Sequence, residues 1–394
     1  MAMVNMKDLL NHAYNNRYAV GAFEVVSLNF LQAVIDAAEK TRSPVILNIV
    51  EPHFEIYDLE LLMAAVERAA KRANVPVAVH MDHCSKMETI HAAMRLGCNS
   101  VMFDAAAETF PVNVERTREV VKLAHACGIP VEGEIGHVNG MEAEDGETSN
   151  HAPVYTHIEE AKAYIEKTGV DFLAVSIGTI HGRVKNKPRL DFSRLARIQE
   201  KVNVPFVIHG GTGLTEQQYR KLIDYGVAKI NHFTALAEVN AKQIEANLKN
   251  KNTSYQRVFA DVREKISDEV QRCMQILNSA GRAAEVLMQC QPWRNLEHVI
   301  VYNPSSENQS AINEMLNKGK QDLSAIPGVL NVEIGRSIDA QSRYNYCWLV
   351  RVACEEVLRT YKTHPIYESY ANKYFRPLTS ETVAIDYEIL DAVG

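Results

Sequence analysis

The chain has 394 residues, of which 46% are hydrophobic and 23% charged, a balance typical of a protein with a sizeable buried core. It carries 42 lysines and arginines against 49 aspartates and glutamates, a net charge of −7, which argues against a nucleic-acid-binding surface. No run approaches the ~18 apolar residues of a membrane-spanning helix, and the seven cysteines are scattered rather than paired. We therefore expect a cytoplasmic protein with no nucleic-acid or membrane partner.

Up to about residue 245, short apolar runs alternate with amphipathic segments of helical length. The runs number eight, at residues 19–25, 44–50, 77–83, 100–105, 130–136, 172–178, 205–211 and 229–235. This alternation predicts an α/β fold in which a parallel sheet closes into a (β/α)8 TIM barrel. An open doubly wound sheet is the alternative, although the first strand-to-helix turn, GAFEVVS, lacks the glycine pattern of a dinucleotide site.

A second pattern begins after a predicted helix at residues 253–282. Strands are expected at 297–302, 332–338, 346–353 and 382–387, and helical stretches at 310–323 and 354–373. This is the pattern of a small α+β module, so we predict two domains, residues 1–288 and 289–394.

Several predicted barrel strands end in residue types that bind metals or transfer protons. Because only the carboxyl ends of barrel strands meet the βα loops, residues at those ends converge on one mouth. Three are histidines, at the ends of the third, sixth and seventh strands: His83, His181 and His209. Three neutral imidazoles with an open fourth position are typical of a catalytic zinc or similar divalent site. Three further polar residues share this rim: Asp104, Glu134 and Asn231.

A carboxylate stands directly beside the first histidine. Asp82 there can act as a general acid/base next to a metal ion, or alternatively cap the following helix. Adjacent strand residues point to opposite faces, so we expect a local twist at Asp82 if both side chains reach one site.

Glycine-rich turns follow the sixth and seventh strands. They read GTIHG at 178–182 and HGGTG at 209–213, and glycines at such turns let backbone N–H groups approach a phosphate. Lys185, Thr212 and Thr234, the last on the eighth strand, can complete a cradle. These turns beside metal-ligand histidines indicate a phosphorylated, carbonyl-bearing substrate.

Residues 1 to about 285 resemble the class II, metal-dependent ketose-bisphosphate aldolases, the fructose- and tagatose-bisphosphate group. The matching motifs run in order along the predicted barrel: AVGAFEV, HMDHCSK, SVMFD, VEGEIG, GMEAEDG, SIGTIHG, HGGTG and KINHFT. The resemblance implies an aldehyde-lyase that reversibly cleaves a ketose phosphate into dihydroxyacetone phosphate and an aldehyde, through a metal-stabilised enediolate.

The resemblance also implies a role for each matching residue. His83, His181 and His209 correspond to the ligands of Zn²⁺ or another divalent ion, and Asp104 and Glu134 to acids that hold it in an alternative position. Asp82 matches the acid/base for the aldehyde-derived hydroxyl, Glu144 a loop carboxylate that moves the proton at the enediolate carbon, and Asn231 a contact to the enediolate. The phosphate site corresponds to Gly182, Lys185, Gly211, Thr212 and Thr234, and a monovalent cation is often bound as well.

The chain departs from the family pattern around the rest of the substrate. Glu24 replaces the asparagine of GAFN, Val50 replaces a frequent serine, and the FDGS turn reads Phe103-Asp104-Ala105-Ala106, so that Ala106 stands where the family has its serine. These departures leave a substrate other than fructose 1,6-bisphosphate open as an alternative, with Glu24 as a candidate substrate-binding residue.

The C-terminal module resembles, more weakly, the stress-responsive dimeric α/β-barrel family, a ferredoxin-like fold. The residues that carry this resemblance are His298 in EHVIVY, the turn IPGV at 326–329, the THP of 363–365 and the final VAIDY. It implies a homodimer or higher homo-oligomer formed through this domain. A second pocket lined by His298, Tyr346 and His364 is the alternative to a purely oligomerising module.

Two other functions stay open on these residues. One is a class II aldolase or lyase acting on a different acid-sugar or modified sugar phosphate. The other is a non-catalytic metal-binding assembly scaffold, although Asp82, Glu144 and Asn231 would have no use in it.

Overall fold

The computed structural model describes residues 2–138, 154–180, 182, 189–249 and 254–389. The chain folds into two compact units, one made of residues 1–90, 98–122 and 130–292, the other of residues 91–97, 123–129 and 293–394.

Among the described residues, eight parallel strands close into a barrel in the order β1 to β8, with β8 pairing back onto β1. Their bounds are β1 Val20–Glu24, β2 Val45–Val50, β3 Val77–Cys84, β4 Ser100–Phe103, β5 Val131–Ile135, β6 Phe172–Val175, β7 Phe206–Ile208 and β8 Val227–His232. Nearly every strand residue is buried, which explains why the strands read as continuous apolar runs rather than alternating ones. The predicted TIM barrel is confirmed.

Helices connect and surround these strands. They are α1 Met6–Asn15, α2 Leu28–Thr41, α3 Leu59–Arg72, α4 Met87–Arg95, α5 Phe110–His125, α6 Ile158–Thr168, α7 Phe192–Gln199, α8 Glu216–Asp224, α9 Thr234–Leu248, α10 Tyr255–Val258, α11 Val262–Ile276 and α12 Ala283–Gln289. Several begin at side chains that accept from an otherwise unpaired backbone N–H, for example Asp58 before α3 and Thr215 before α8. A short 3₁₀ segment, Glu51–Glu55, follows β2.

The amino-terminal end of the barrel is filled by apolar side chains. Met6, Leu9 and Leu10 of α1 belong to one buried cluster with interior residues of the strands, including Ala22 and Ile46. The polar strand ends predicted to carry the chemistry lie at the opposite end, where the βα loops begin.

The second unit contains an antiparallel four-stranded sheet in the order β10-β11-β9-β12. The strands are β9 Leu296–Pro304, β10 Val329–Arg336, β11 Tyr346–Val352 and β12 Thr379–Glu388, and the helices are α13 Gln309–Ser324, α14 Glu355–Tyr361 and α15 Pro365–Tyr370. His298, Ile300 and Tyr302 of β9 are buried on one face. The other face carries Val299, Val301, Leu349, Val383, Ile385 and Tyr387, which we call the open face of the sheet.

Four predicted elements are corrected. The helix expected at 354–373 breaks after Tyr361, because Pro365 starts a new helix whose N-cap is His364. The strand expected at 332–338 begins at Val329, directly after the turn at Gly328, where φ is +81°. Within 254–282 the predicted continuous helix is two, α10 and α11, with Asp261 in the left-handed region between them.

The fourth correction concerns the eighth strand, which ends at His232 rather than at residue 235. Thr234 is therefore the first residue of α9 and not a strand residue. No described helix is long and apolar enough to cross a membrane.

Candidate active site

The carboxyl ends of five strands of the barrel bring polar side chains together. Asp82 and His83 come from β3, Glu134 from β5 and Asn231 from β8, while Asp104 and His209 directly follow β4 and β7. Two further predicted residues, His181 and Lys185, and the loop residue Glu144 lie outside the described residues.

A bulge in β3 lets two adjacent residues face the same site. The register against β4 shifts between Met81 and Cys84, and His83 has a φ of +49°, unusual for any residue other than glycine. The expected twist is therefore at His83, whereas Asp82 keeps the inward direction of the strand, as its contact with Asn48 shows. Backbone strain of this kind persists only where the surrounding structure holds it, and it clusters at functional sites.

The two described histidines of the site face each other. His83 Nε2 lies 2.8 Å from His209 Nδ1, and the rings are nearly perpendicular. The other nitrogen of each ring contacts a carboxylate: His83 Nδ1 is 2.8 Å from Asp104, and His209 Nε2 is 2.8 Å from Glu132. A carboxylate accepts, so each outer nitrogen carries the proton and each inner nitrogen presents a lone pair. Two converging lone pairs are the arrangement that a shared proton or a metal ion satisfies.

Buried oxygen atoms around these rings point to the same conclusion. Within the described part of the chain, Oδ1 of Asn48 and Oδ1 of Asn231 are buried and have no hydrogen-bond partner, and the Nδ2 atoms of both amides contact Asp82. Buried acceptors are almost always paired, so two such oxygens beside one carboxylate indicate a missing donor or cation. Ligand atoms of Asp82, His83 and His209 lie within 4.8 Å of one another, as do those of His83, Asp104 and Glu134. The donor set therefore fits a divalent ion.

Asp82 is fully buried and held from several sides. Its Oδ2 accepts hydrogen bonds from Asn48 at 2.8 Å and Asn231 at 2.7 Å, and the Lys229 ammonium lies 4.0 Å away. Burial by itself raises the pKa of Asp82, but the charge of Lys229 is foremost among the neighbours that hold this pKa well below its usual range. Asp82 is thus a carboxylate, not an acid, at neutral pH.

The two outer acids of the site differ in protonation. Burial raises the pKa of Asp104, but the hydrogen bond from His83 outweighs it, and the pKa is about 2. Burial together with the charge of Asp104 raises the pKa of Glu134 to about 8. Glu134 accepts one backbone hydrogen bond, from Val138. At neutral pH Asp104 is therefore ionised, whereas the raised pKa of Glu134 favours its neutral form.

A second polar layer lies deeper in the barrel, and sequence analysis missed it. His80, Glu132 and Lys229 are fully buried, and Lys229 Nζ contacts Glu132 Oε2 at 2.8 Å. Each precedes a predicted site residue by two positions: His80 before Asp82, Glu132 before Glu134 and Lys229 before Asn231. Since residues two apart in a strand share a face, this spacing was the available signal.

Glu24 is also fully buried. One of its carboxylate oxygens lies 3.6 Å from Nδ1 of His53, and the His53 ring packs against Phe233. Its register partner on β2 is Asn48, which contacts Asp82, so Glu24 belongs to the barrel interior beside the site.

The glycines of the predicted phosphate loops are needed for packing. A Cβ at Gly210, whose φ is +67°, would lie 2.5 Å from the backbone of Ile180, and one at Gly211 would lie 2.8 Å from Ile230. Gly182 also has a positive φ, +79°. Thr212 is half-buried and Thr234 is buried.

A cavity of about 570 Å³ opens beside this cluster. His83, Asp104 and Glu134 line one side of it. The other side is formed by residues in and around the 3₁₀ segment and the start of α4: Val50, Glu51, Pro52, Phe54, Glu55, Ser85, Lys86 and Thr89. The volume is suited to a small metabolite.

Comparison with known proteins gives two family matches. The sequence model of class II fructose-bisphosphate aldolase matches residues 4–282, and that of the stress responsive A/B barrel domain matches residues 296–389. The second match confirms the predicted C-terminal fold.

Individual relatives agree with the first match. The chain is 34% identical over 285 residues to a sulfofructosephosphate aldolase of Alkalicoccus urumqiensis, covering 72% of this chain and 99% of that protein. It is 34% identical over 290 residues to a fructose-bisphosphate aldolase of Geobacillus stearothermophilus, covering 72% and 100%. The crystal structure of the YdjI aldolase of Escherichia coli K12 superposes with a TM-score of 0.63 at 32% identity, covering 71% of this chain and 99% of that one. With its barrel, its paired histidines and these relatives, the chain belongs to the class II fructose-bisphosphate aldolase family and is an aldehyde-lyase.

Proposed function

We propose that the protein catalyses metal-dependent, reversible aldol cleavage of a ketose phosphate into dihydroxyacetone phosphate and an aldehyde. The observation that carries this proposal is the pair of histidine nitrogens that converge at 2.8 Å with carboxylates on their outer sides. His83, His209 and, by resemblance, His181 would hold Zn²⁺ or another divalent ion. When bound, the ion supplies Lewis-acid stabilisation of the charge that develops on the ketone oxygen.

Asp82 is the proposed acid/base for the hydroxyl of the aldehyde half. Its Oδ2 already accepts two amide hydrogen bonds, whereas Oδ1 accepts the backbone N–H of His83 at 3.1 Å and lies 3.6 Å from Nε2 of His80. A carboxylate oxygen has two acceptor positions, so Oδ1 is the atom that takes the substrate proton. The low pKa of Asp82 keeps it in the basic form that cleavage requires.

Asn231 and the outer acids orient the substrate. The buried Oδ1 of Asn231 accepts from a hydroxyl of the dihydroxyacetone half, while its Nδ2 holds Asp82. By resemblance, Asp104 and Glu134 would provide further ligands for the ion, and Glu144 would move the proton at the enediolate carbon. The phosphate is bound by Gly182, Lys185, Gly211, Thr212 and Thr234, with a monovalent cation nearby.

A second candidate substrate is a modified sugar phosphate rather than fructose 1,6-bisphosphate. One relative acts, by its name, on sulfofructosephosphate and another on fructose bisphosphate, at the same identity. The observation that favours a changed substrate is Glu24, a buried carboxylate in the barrel interior where the family has an amide. Glu24 would then contact a hydroxyl or amine of the substrate rather than a phosphate, since like charges repel.

We propose that the protein is cytoplasmic and has two domains, the second of which is residues 289–394. This second domain would join copies of the chain. Val383, Ile385 and Tyr387 on the open face are 37%, 45% and 47% exposed. A contiguous apolar sheet face of this kind marks a protein–protein contact, and the family resemblance names a second copy as the occupant.

The first test needs no knowledge of the aldehyde. Protein loaded with Zn²⁺ is incubated with dihydroxyacetone phosphate in D₂O, and proton–deuterium exchange is followed by NMR with and without EDTA. We expect exchange that EDTA abolishes and Zn²⁺ restores. No exchange in folded, zinc-loaded protein would mean a different ketone or no aldol chemistry.

A further inference from the structure

Glu132 lies behind the metal site rather than in it. It is fully buried on β5, and its two carboxylate oxygens have different partners. Oε1 is 2.8 Å from Nε2 of His209, and Oε2 is 2.8 Å from Nζ of Lys229. The contacts join three strands, β5, β7 and β8, at one point beneath the rim.

The partner of the outer nitrogen decides which nitrogen of an imidazole can bind a metal. A ring that donates from Nε2 to a carboxylate has its lone pair on Nδ1, and a ring that donates from Nδ1 has it on Nε2. Glu132 imposes the first arrangement on His209, and Asp104 imposes the second on His83. The two rings therefore meet through opposite nitrogens, as their 2.8 Å contact shows.

Lys229 explains how a carboxylate can stand at this depth. A buried carboxylate is strongly unfavourable unless a charge compensates it, and the fully buried ammonium does so at 2.8 Å. Oε2 also lies 3.5 Å from Nε2 of His80. Because both oxygens have partners, the carboxylate plane is fixed with Oε1 facing His209. The same ammonium lies 4.0 Å from Asp82, which ties the base of the reaction to the support of the ligand.

We propose that Glu132 is a positioning residue that makes Nδ1 the metal-binding nitrogen of His209, with Lys229 holding Glu132 in place. This inference rests on the metal site of the proposed function and concerns how that site is built. In this role Glu132 contacts neither the substrate nor the ion.

The test is the metal affinity and ligand field of Glu132→Gln in the full chain. The glutamine keeps the size of the side chain but removes the charge that fixes the imidazole, so we expect Zn²⁺ to bind about 10- to 100-fold more weakly in competition with a chromophoric chelator. The visible absorption of the Co²⁺-loaded protein should change in position or intensity. Neither readout depends on turnover.

Two further variants separate positioning from general damage. Asp171→Asn is the matched control, because Asp171 is also a buried acid that pairs with a lysine, Lys7, at 2.8 Å, but it does not contact His83 or His209. This variant should leave Zn²⁺ affinity and the Co²⁺ spectrum unchanged. Glu132→Gln combined with Lys229→Met removes both charges and avoids an unpaired buried ammonium if the single variant does not fold. The double variant should also bind Zn²⁺ at least 10-fold more weakly.

The outcomes distinguish this inference from the proposed function. Affinity within threefold of wild type and an unchanged Co²⁺ spectrum, in whichever Glu132 variant folds, would overturn the positioning role. Weakened binding in these variants, with no deuterium exchange in wild type, would uphold Glu132 and refute the dihydroxyacetone phosphate reaction. A wild-type protein that binds no Zn²⁺ or Co²⁺ would overturn both.

Discussion

Lys229→Met tests whether one ammonium holds the interior of the barrel together. Lys229 Nζ is 2.8 Å from Glu132 and 4.0 Å from Asp82, and all three side chains are fully buried. At an effective dielectric constant of about 20, these distances correspond to attractions of about 6 and about 4 kcal/mol. Removal of the ammonium also removes its own desolvation cost of several kcal/mol, so we expect a net loss of about 3–5 kcal/mol in the free energy of unfolding.

The assay can follow each unit separately. Both tryptophans, Trp293 and Trp348, belong to the second unit, so their fluorescence reports that unit, whereas far-UV circular dichroism is dominated by the helices of the barrel. Urea unfolding in EDTA at pH 7 should shift the circular dichroism transition to lower urea concentration by more than the fluorescence transition. Adding Glu132→Gln should recover a large part of the loss, because one of the unpaired carboxylates is then neutral.

Either of two results would contradict this stabilising role of Lys229. One is a loss below about 1 kcal/mol in Lys229→Met, which would mean that water or protonation compensates the two carboxylates. The other is a double variant whose loss equals the sum of the single losses, since contacting charges must couple.

Three further predictions concern the reaction, the assembly and pH. Asp82→Asn should keep Zn²⁺ and deuterium exchange but lose carbon–carbon cleavage by about 10²- to 10⁴-fold in a steady-state assay, and normal cleavage would assign the base elsewhere. Ile385→Asp on the open face should lower the mass measured by light scattering. Leu61→Asp, a control at a 75% exposed leucine of the barrel unit, should leave the mass unchanged. If Ile385→Asp had the same mass as wild type, the sheet contact would be excluded.

The prediction on pH concerns His298, which lies 2.5 Å from Asp386 in the second unit. Burial lowers the pKa of His298 against the opposing effect of Asp386, and the pKa of Asp386 is lowered too, since its contacts with His298 and Lys362 outweigh burial. The unfolded chain therefore binds protons more readily, so stability is full above about pH 6.5 and falls as the pH drops below it. The fluorescence midpoint should decrease from pH 7 to pH 5, and a dependence that persists in His298→Phe would contradict this origin.

Sequence patterns predicted the barrel well because parallel strands buried on both faces are unmistakable apolar runs. The same patterns misplaced elements where one residue overrides periodicity. Pro365 divides a helical stretch, and the end of β8 at His232 was obscured because Phe233 continues the apolar run.

The candidate site was predicted at its rim but not in its depth. His83, Asp104, Glu134 and His209 were recognisable as polar residues at strand ends, and the structure brings them together. Lys229 and Glu132 were passed over because a charge in the middle of a buried strand makes sense only once its partner on another strand is known. The conformation of His83 was also beyond sequence, since a bulge depends on the register of the neighbouring strand.

One wall of the cavity is not formed by the strands of the barrel. The five residues Glu51–Glu55 form a single 3₁₀ turn, and Glu51 anchors it to the start of α4 through Ser85 and Thr89. Pro52, Phe54 and Glu55 line the cavity, whereas the buried His53 faces Glu24. None of these three cavity residues belongs to a strand, so the shape of this wall can change while the strand register stays the same. A library confined to residues 52, 54 and 55 is therefore the economical route to new substrate preferences.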